Sequence, residues 1–264
     1  MDMMHLLVGC CGFPVSKSKY FQTFKTVELQ DTFYRIPSID SAKRLKNQVP
    51  QEFIINMKAW QVISHPSTSP TWKKAGIKID KSKAKNYGYL KPTKENFEAW
   101  DKVLEIAHIY NPRVIVIQTP PSFGYNELNL KNAQEFFQTI SYNNFIIGWE
   151  PRGTWRQQPS MIRKVIDVGR IIHITDILRE KPIIKEDQEV LYIRLHGLGG
   201  KEVNYRYKYK DEDFEKLTRI ITETLEKYNH IREIYVMFNN IYMFNDAQAF
   251  RSYILQKHLT LRIL

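Results

Sequence analysis

The chain has 264 residues, 43% of them apolar, with 39 Lys and Arg against 28 Asp and Glu for a formal net charge of +11. That is enough apolar material for one full core in a domain of about 250 residues, and no apolar run approaches the ~18 residues of a membrane span. The two cysteines, Cys10 and Cys11, are adjacent, which excludes a disulfide framework, and Met1–Leu7 is too short for an export signal, so a cytoplasmic location is expected. Abundant Lys, Ile and Tyr beside so few Cys is a composition compatible with a thermophile.

Eight short apolar runs follow one another along the chain: Leu6–Gly9, Thr26–Leu29, Phe53–Met57, Val114–Ile117, Phe145–Ile147, Ile171–Ile174, Val190–Ile193 and Ile234–Phe238. Short runs rich in Val, Ile and Phe predict strands buried on both faces. Amphipathic stretches between them predict helices over Ser41–Gln48, Thr93–Tyr110, Asn126–Ile140, Ser160–Val168, Asp211–Tyr228 and Asp246–Leu255, with Asp246 as a cap. Only Ile177–Glu189, which holds Pro182, shows no helical pattern. Strand and helix alternating about eight times predicts an α/β fold, a single (β/α)₈ TIM-barrel-like domain over 1–264. The chemistry of such a barrel lies at the C-terminal ends of its strands.

Nearly every run ends in a charged, amide or thiol side chain. The first ends at Cys10. The second contains Glu28, a carboxylate too costly to bury in a strand without a cation such as Lys58, which ends the third. Such a pair either positions a proton-transfer group or braces the barrel. Gln118 ends the fourth run. Glu150 and Arg152 follow the fifth in a Pro- and Gly-flanked turn, where the carboxylate suits a general base, a metal ligand or a partner for the arginine. Asp176 follows the sixth, Arg194 and His196 the seventh, and Asn239 and Asn240 the eighth.

Arg194 and His196 stand two apart and face the same way in an extended strand. The Gly199-Gly200-Lys201 sequence just beyond them fits the backbone phosphate cradles found after strands seven and eight of barrels. His65 lies between Ser64 and Pro66 in the longest departure from alternation, an insertion of approximately 60–92. Between Lys73 and Lys94 the chain places eight lysines against a single acid, Asp80. The segment is either a solvated face or a lid that steers polyanions. Tyr205-Arg206-Tyr207-Lys208-Tyr209-Lys210 alternates rings and cations. It reads either as a platform for single-stranded nucleic acid or as a half-buried edge strand.

No metal or organic cofactor motif is present and the histidines lack metal-ligand spacing, although a divalent metal among Glu28, Glu150, Asp176 and His196 stays open. Nucleophile elbows and dinucleotide fingerprints are absent as well.

Several blocks in order carry a resemblance: Val8-Gly9-Cys10-Cys11-Gly12-Phe13, Thr32-Phe33-Tyr34-Arg35-Ile36-Pro37, Met57-Lys58-Ala59 with Ile63-Ser64-His65, Gln118-Thr119-Pro120-Pro121-Ser122-Phe123, Glu150-Pro151-Arg152, Tyr192-Ile193-Arg194-Leu195-His196-Gly197 and Phe238-Asn239-Asn240. Together they resemble the YecE-like family, a domain of unknown function in bacteria and archaea. The resemblance implies a TIM-barrel-like fold and shared polar positions at Glu28, Lys58, His65, Gln118, Glu150, Arg152, Arg194, His196 and Asn239. It supplies no reaction. Cys10 and Cys11 stand where the family commonly has Thr and Ser, and Gln30-Asp31 where it has Asn-Ser, so a hydroxyl role there does not carry over.

The sequence leaves three functions open. The first is binding, with or without hydrolysis, of a phosphate-containing ligand, nucleic acid before others. Here Arg194, Gly199, Gly200 and Lys201 hold phosphate, and Glu150 or His196 handles the proton. The second is an enzyme on a small metabolite using Glu28, Lys58 and Glu150. The third is a non-catalytic binding module. Oligomeric state is not legible.

Overall fold

Each of the eight apolar runs is a strand in the computed structural model, which describes residues 4–200 and 202–257 and the backbone of 262–263. They are β1 (His5–Cys11), β2 (Thr26–Leu29), β3 (Ile54–Lys58), β4 (Val114–Gln118), β5 (Ile146–Glu150), β6 (Ile171–His173), β7 (Val190–Leu195) and β8 (Glu233–Phe238). The sheet order is β6-β5-β4-β3-β2-β1-β8-β7, and Thr175, just past β6, makes a parallel bridge to Ile193 of β7. Eight parallel strands with helices between them thus form a nearly closed TIM-barrel-like α/β fold. A ninth strand, β9 (Arg262–Ile263), takes an edge of β1 at His5 and Leu6, while β2 pairs with β1 further on, at Cys10 and Cys11. Gly9 lets β1 approach β2 closely, since a Cβ there would meet the Thr26 carbonyl.

The helices are α1 (Lys17–Thr23), α2 (Asp31–Tyr34), α3 (Ile39–Gln48), α4 (Pro70–Ala75), α5 (Lys94–Tyr110), α6 (Glu127–Thr139), α7 (Pro159–Ile166), α8 (Asp211–Lys227) and α9 (Met243–Gln256). Side-chain caps start several of them: Ser38 accepts from Ser41 N, Thr93 from Asn96 N and Asn126 from Asn129 N. Amphipathic spacing then decides the buried face, Trp100, Val103, Leu104 and Ala107 on α5 and Phe214, Leu217 and Ile221 on α8. Among the described residues no helix is long and apolar enough to cross a membrane.

Two expectations need correction. Asp246 does not cap α9: Tyr242 holds that position and Asp246 is buried in the first turn. Residues 205–210 form no strand; Tyr205 is exposed and Tyr209 buried, so the three rings do not share a face. The region between β1 and α3 also holds two helices, α1 and α2, that the apolar pattern did not reveal.

The chain divides into two compact units, one of Met1–Glu28, Glu52–Ile54 and Ile172–Leu264, the other of Leu29–Gln51 and Ile55–Ile171. The long insertion belongs to the second unit. Its return is fastened by Gly88 N to Val62 O (2.8 Å), Tyr89 N to Ser64 O (3.0 Å) and Leu90 N to Ile63 O (3.0 Å). Leu90 and Trp72 are buried, and Trp72 meets Tyr87 edge-on at 5.7 Å. The lysine-rich 3₁₀ turn Lys81–Asn86 therefore projects from a segment pinned at its base.

Candidate functional site

In the second unit, β3, β4 and β5 end in Lys58, Gln118 and Glu150, and parallel register sets Gln118 opposite Glu150. Lys58 Nζ donates to Gln118 Oε1 at 2.8 Å and stands 4.0 Å from the centroid of the Phe33 ring on α2. Thr32, beside Phe33, donates its hydroxyl to the Lys58 carbonyl at 2.6 Å, so this one-turn helix is fastened to the end of β3. His65 meets the same Phe33 ring edge-on at 5.0 Å, and its Nδ1 is 2.9 Å from Ser64 Oγ. Arg152 directs Nε (2.9 Å) and Nη2 (2.7 Å) at one oxygen of Glu150, Oε1. All four charged or imidazole side chains, Lys58, His65, Glu150 and Arg152, are buried.

The electrostatics follow from that crowding. Burial, and then the positive charges of Lys58 and Arg152, pull the His65 pKa from 6.5 down to about 3. At neutral pH the imidazole is uncharged, with the cations Lys58 and Arg152 acting on it. A group of this kind can hold an anion and present a carboxylate beside it.

In the first unit the strand ends make a different arrangement. Glu28 and Arg194, both fully buried, form an ion pair at 2.9 Å, and Tyr192 donates its hydroxyl to the other Glu28 oxygen at 2.9 Å. Arg194 Nη2 is also 3.8 Å from Cys11 Sγ. Cys10 N donates to Tyr20 Oη (2.8 Å), Tyr20 Oη donates to Thr26 O (3.0 Å), and Cys10 Sγ donates to Met243 O (3.4 Å). Burial pushes the Cys10 thiol up to about 12 and the Cys11 thiol well above its ordinary value, so neither is a thiolate at neutral pH.

The ends of β6, β7 and β8 are tied by backbone as much as by side chains. Asp176 accepts from His196 N (3.1 Å) and Leu178 N (3.1 Å) and pairs with Arg179 at 3.7 Å. Arg179 Nε donates to the Gly197 carbonyl at 3.0 Å. Gly197 N donates to Tyr209 Oη (2.7 Å), and Tyr209 N donates to Asp246 Oδ2 (3.3 Å). Asn240 Nδ2 donates to Asp246 Oδ2 (2.6 Å) and to Tyr207 O (2.7 Å), while Asn240 Oδ1 is buried with no partner among the described residues. Asn239 continues the ladder through its N–H to Leu195 O. Gly199 and Gly200 are exposed with positive φ, and Lys201 lies outside the described residues. Among the described residues no three His, Cys, Asp or Glu side chains are grouped to hold a metal ion.

A family model described as "Protein of unknown function DUF72" matches residues 17–261, nearly the whole chain. The chain belongs to the DUF72, or YecE-like, family. The solved structure of a DUF72 family protein from Enterococcus faecalis V583 superposes with a TM-score of 0.65 at 16% identity, covering 97% of this chain and 99% of that one. One from Thermotoga maritima MSB8 gives 0.63 at 19% identity, covering 95% and 99%. At such identities the likeness shows the fold alone. No curated protein matches the sequence.

Against this DUF72 frame, strand-end reasoning picked out the charged members of both groups. It missed Tyr192, which was readable: two residues before Arg194, it shares that strand face. It also missed Phe33, Arg179, Tyr209 and the buried role of Asp246, whose partners are up to 37 positions away in sequence.

Proposed function

We propose that this DUF72 chain binds a phosphate-containing ligand at the ends of β3, β4 and β5, with nucleic acid the favoured source of the phosphate. The observation that carries the reading is His65, buried and held neutral where the cations Lys58 and Arg152 act on it. An anion placed there lowers the energy of both cations, and the neutral imidazole offers it a hydrogen bond without a desolvated charge. Glu150, its Oε1 steered by Arg152, stands ready to take a proton from water in hydrolysis of a phosphate ester. The same unit carries the exposed lysines Lys81, Lys83 and Lys85 on a segment fastened at its base, which would raise the local concentration of a polyanion.

The test is binding of labelled single- and double-stranded DNA and RNA over a salt series, with cleavage scored in the same samples with and without divalent metal. Titration with inorganic phosphate is run alongside. Wild type is compared with the triple Lys81→Gln, Lys83→Gln, Lys85→Gln variant and with Glu150→Gln. The reading expects phosphate binding, oligonucleotide binding that persists near physiological salt and weakens in the triple variant, and loss of any cleavage in Glu150→Gln. Absence of both phosphate and oligonucleotide binding overturns it. Phosphate binding with oligonucleotide binding erased by moderate salt directs attention to a small phosphorylated metabolite.

A further inference from the structure

Among the described residues six large apolar side chains are exposed, and three of them occur together. Ile39, Leu128 and Leu255 lie singly on α3, α6 and α9, which is ordinary for a protein surface. Tyr205, Ile241 and Tyr242 are different. They are 45%, 63% and 38% exposed, and the Ile241 N–H donates to the Tyr205 carbonyl at 2.8 Å, joining the loop after β7 to the turn after β8.

The backbone that presents them is fixed. Asn204 N donates to His196 O (2.8 Å), Tyr207 N to Asn204 O (3.0 Å), and Asn240 Nδ2 to Tyr207 O (2.7 Å). Tyr207 and Tyr209 turn inward: Tyr207 donates its hydroxyl to Asp213, and Tyr209 is buried against Phe238. Tyr205 is left outward, 6.3 Å from the His196 ring. Cations stand beside the patch, on the loop that carries Tyr205, and the acidic run Asp211–Asp213 follows them. Arg206, Lys208 and Lys210 are all exposed, and Lys208 Nζ stands 6.0 Å from the centre of the Tyr242 ring.

We propose that Tyr205 and Tyr242, with Ile241 between them, form a stacking platform for the bases of a single-stranded nucleic acid, whose phosphates are met by Arg206, Lys208 and Lys210. The occupant is argued from complementarity. Exposed aromatic rings beside cations match a polymer that repeats a flat base and an anion. A folded protein partner is less well matched, because the apolar area is small. The platform rests on the reading that this chain takes a phosphate-bearing ligand. It adds residues, Tyr242 and Ile241, that have no part in the Lys58–His65–Arg152 group.

The probes are a fluorescein-labelled twelve-residue oligothymidylate and a labelled twelve-residue abasic strand of equal charge, read by fluorescence polarisation. Wild type should bind the thymidylate at least about tenfold tighter than the abasic strand. Tyr205→Ala and Tyr242→Ala should each erase most of that preference and leave abasic binding unchanged, and Tyr205→Phe should keep it. Both tyrosines are exposed, so the variants should melt with wild type, which circular dichroism checks. A wild type that binds both strands equally, or alanine variants that keep the preference, overturns the platform while phosphate binding still stands. A wild type that binds neither strand nor inorganic phosphate overturns the platform and the underlying reading together.

Discussion

Arg194 Nη2 lies 2.9 Å from Glu28 Oε1, and neither side chain exposes any surface to water. The pair joins β2 to β7, and Tyr192, one turn of the pleat before Arg194, supplies a hydroxyl to the second carboxylate oxygen. Two charges removed from water hold together only while both are present, because either alone keeps its desolvation cost and loses its partner.

Arg194→Leu should therefore cost about 3–5 kcal/mol of stability, since it strands a buried carboxylate. Tyr192→Phe, which removes a single hydrogen bond to a charged group, should cost about 1.5–3 kcal/mol. Urea unfolding of the two variants checks both figures. If Arg194→Leu melts like wild type, the pair is no brace.

His65 gives a pH signature. Its pKa is 6.5 when exposed and about 3 when folded, lowered by burial and by Lys58 and Arg152. Below 6.5 the unfolded chain binds a proton that the folded chain refuses. The stability contributed by neutral His65 is thus complete above pH 6.5 and should fall by about 1.4 kcal/mol per unit as pH drops towards 3. Urea midpoints measured across that window should show a shallower slope in His65→Gln than in wild type. Equal slopes would mean that the imidazole is protonated in the fold.

The barrel was legible because each strand is a separate apolar run and strands buried on both faces cannot be mistaken for half-exposed ones. Helices of a single turn were not legible: Asp31–Tyr34 is too short to show a period, yet it delivers Phe33 to Lys58 and His65. Strand-end logic singled out Lys58, Gln118, Glu150 and Arg194. It could not tell which would be spent on partners within the protein. Asp246 illustrates the limit, since a carboxylate near a helix start reads as a cap. Here it instead accepts from Asn240 and from Tyr209 N, a contact made only when the 205–210 loop folds back.

The adjacent thiols should be unreactive. Desolvation holds Cys10 near 12 and Cys11 well above the ordinary thiol value, and both are buried. The thiolate fraction at pH 8 is then negligible. A colorimetric disulfide reagent should label neither cysteine in the native protein over minutes and both at once in strong denaturant. Rapid native labelling of one thiol would restore Cys10 or Cys11 as a nucleophile.

The glycines after β7 should divide into one that the fold requires and two that it only prefers. Gly197 has φ +81°, a conformation that side chains disfavour, and a Cβ there would collide with the Asn204 carbonyl and Tyr207. Gly199 and Gly200 also have positive φ, at +74° and +62°, but nothing lies within 4 Å of a Cβ at either. Gly197→Ala therefore meets backbone strain and a clash with backbone that is itself held by His196 and Asn240, and should cost more than about 3 kcal/mol. Gly199→Ala and Gly200→Ala meet strain alone and should cost about 1 kcal/mol each. Urea denaturation of the three single variants resolves the difference. Because Gly197 N–H also reaches Tyr209, whose own N–H reaches Asp246, the Gly197 variant should loosen Tyr205 and Tyr242 as well, visible as faster amide exchange over residues 196–209. Equal costs at all three positions would show that the loop after β7 moves freely enough to absorb the clash, and that the ties from Asn204 and Tyr209 do not fix it.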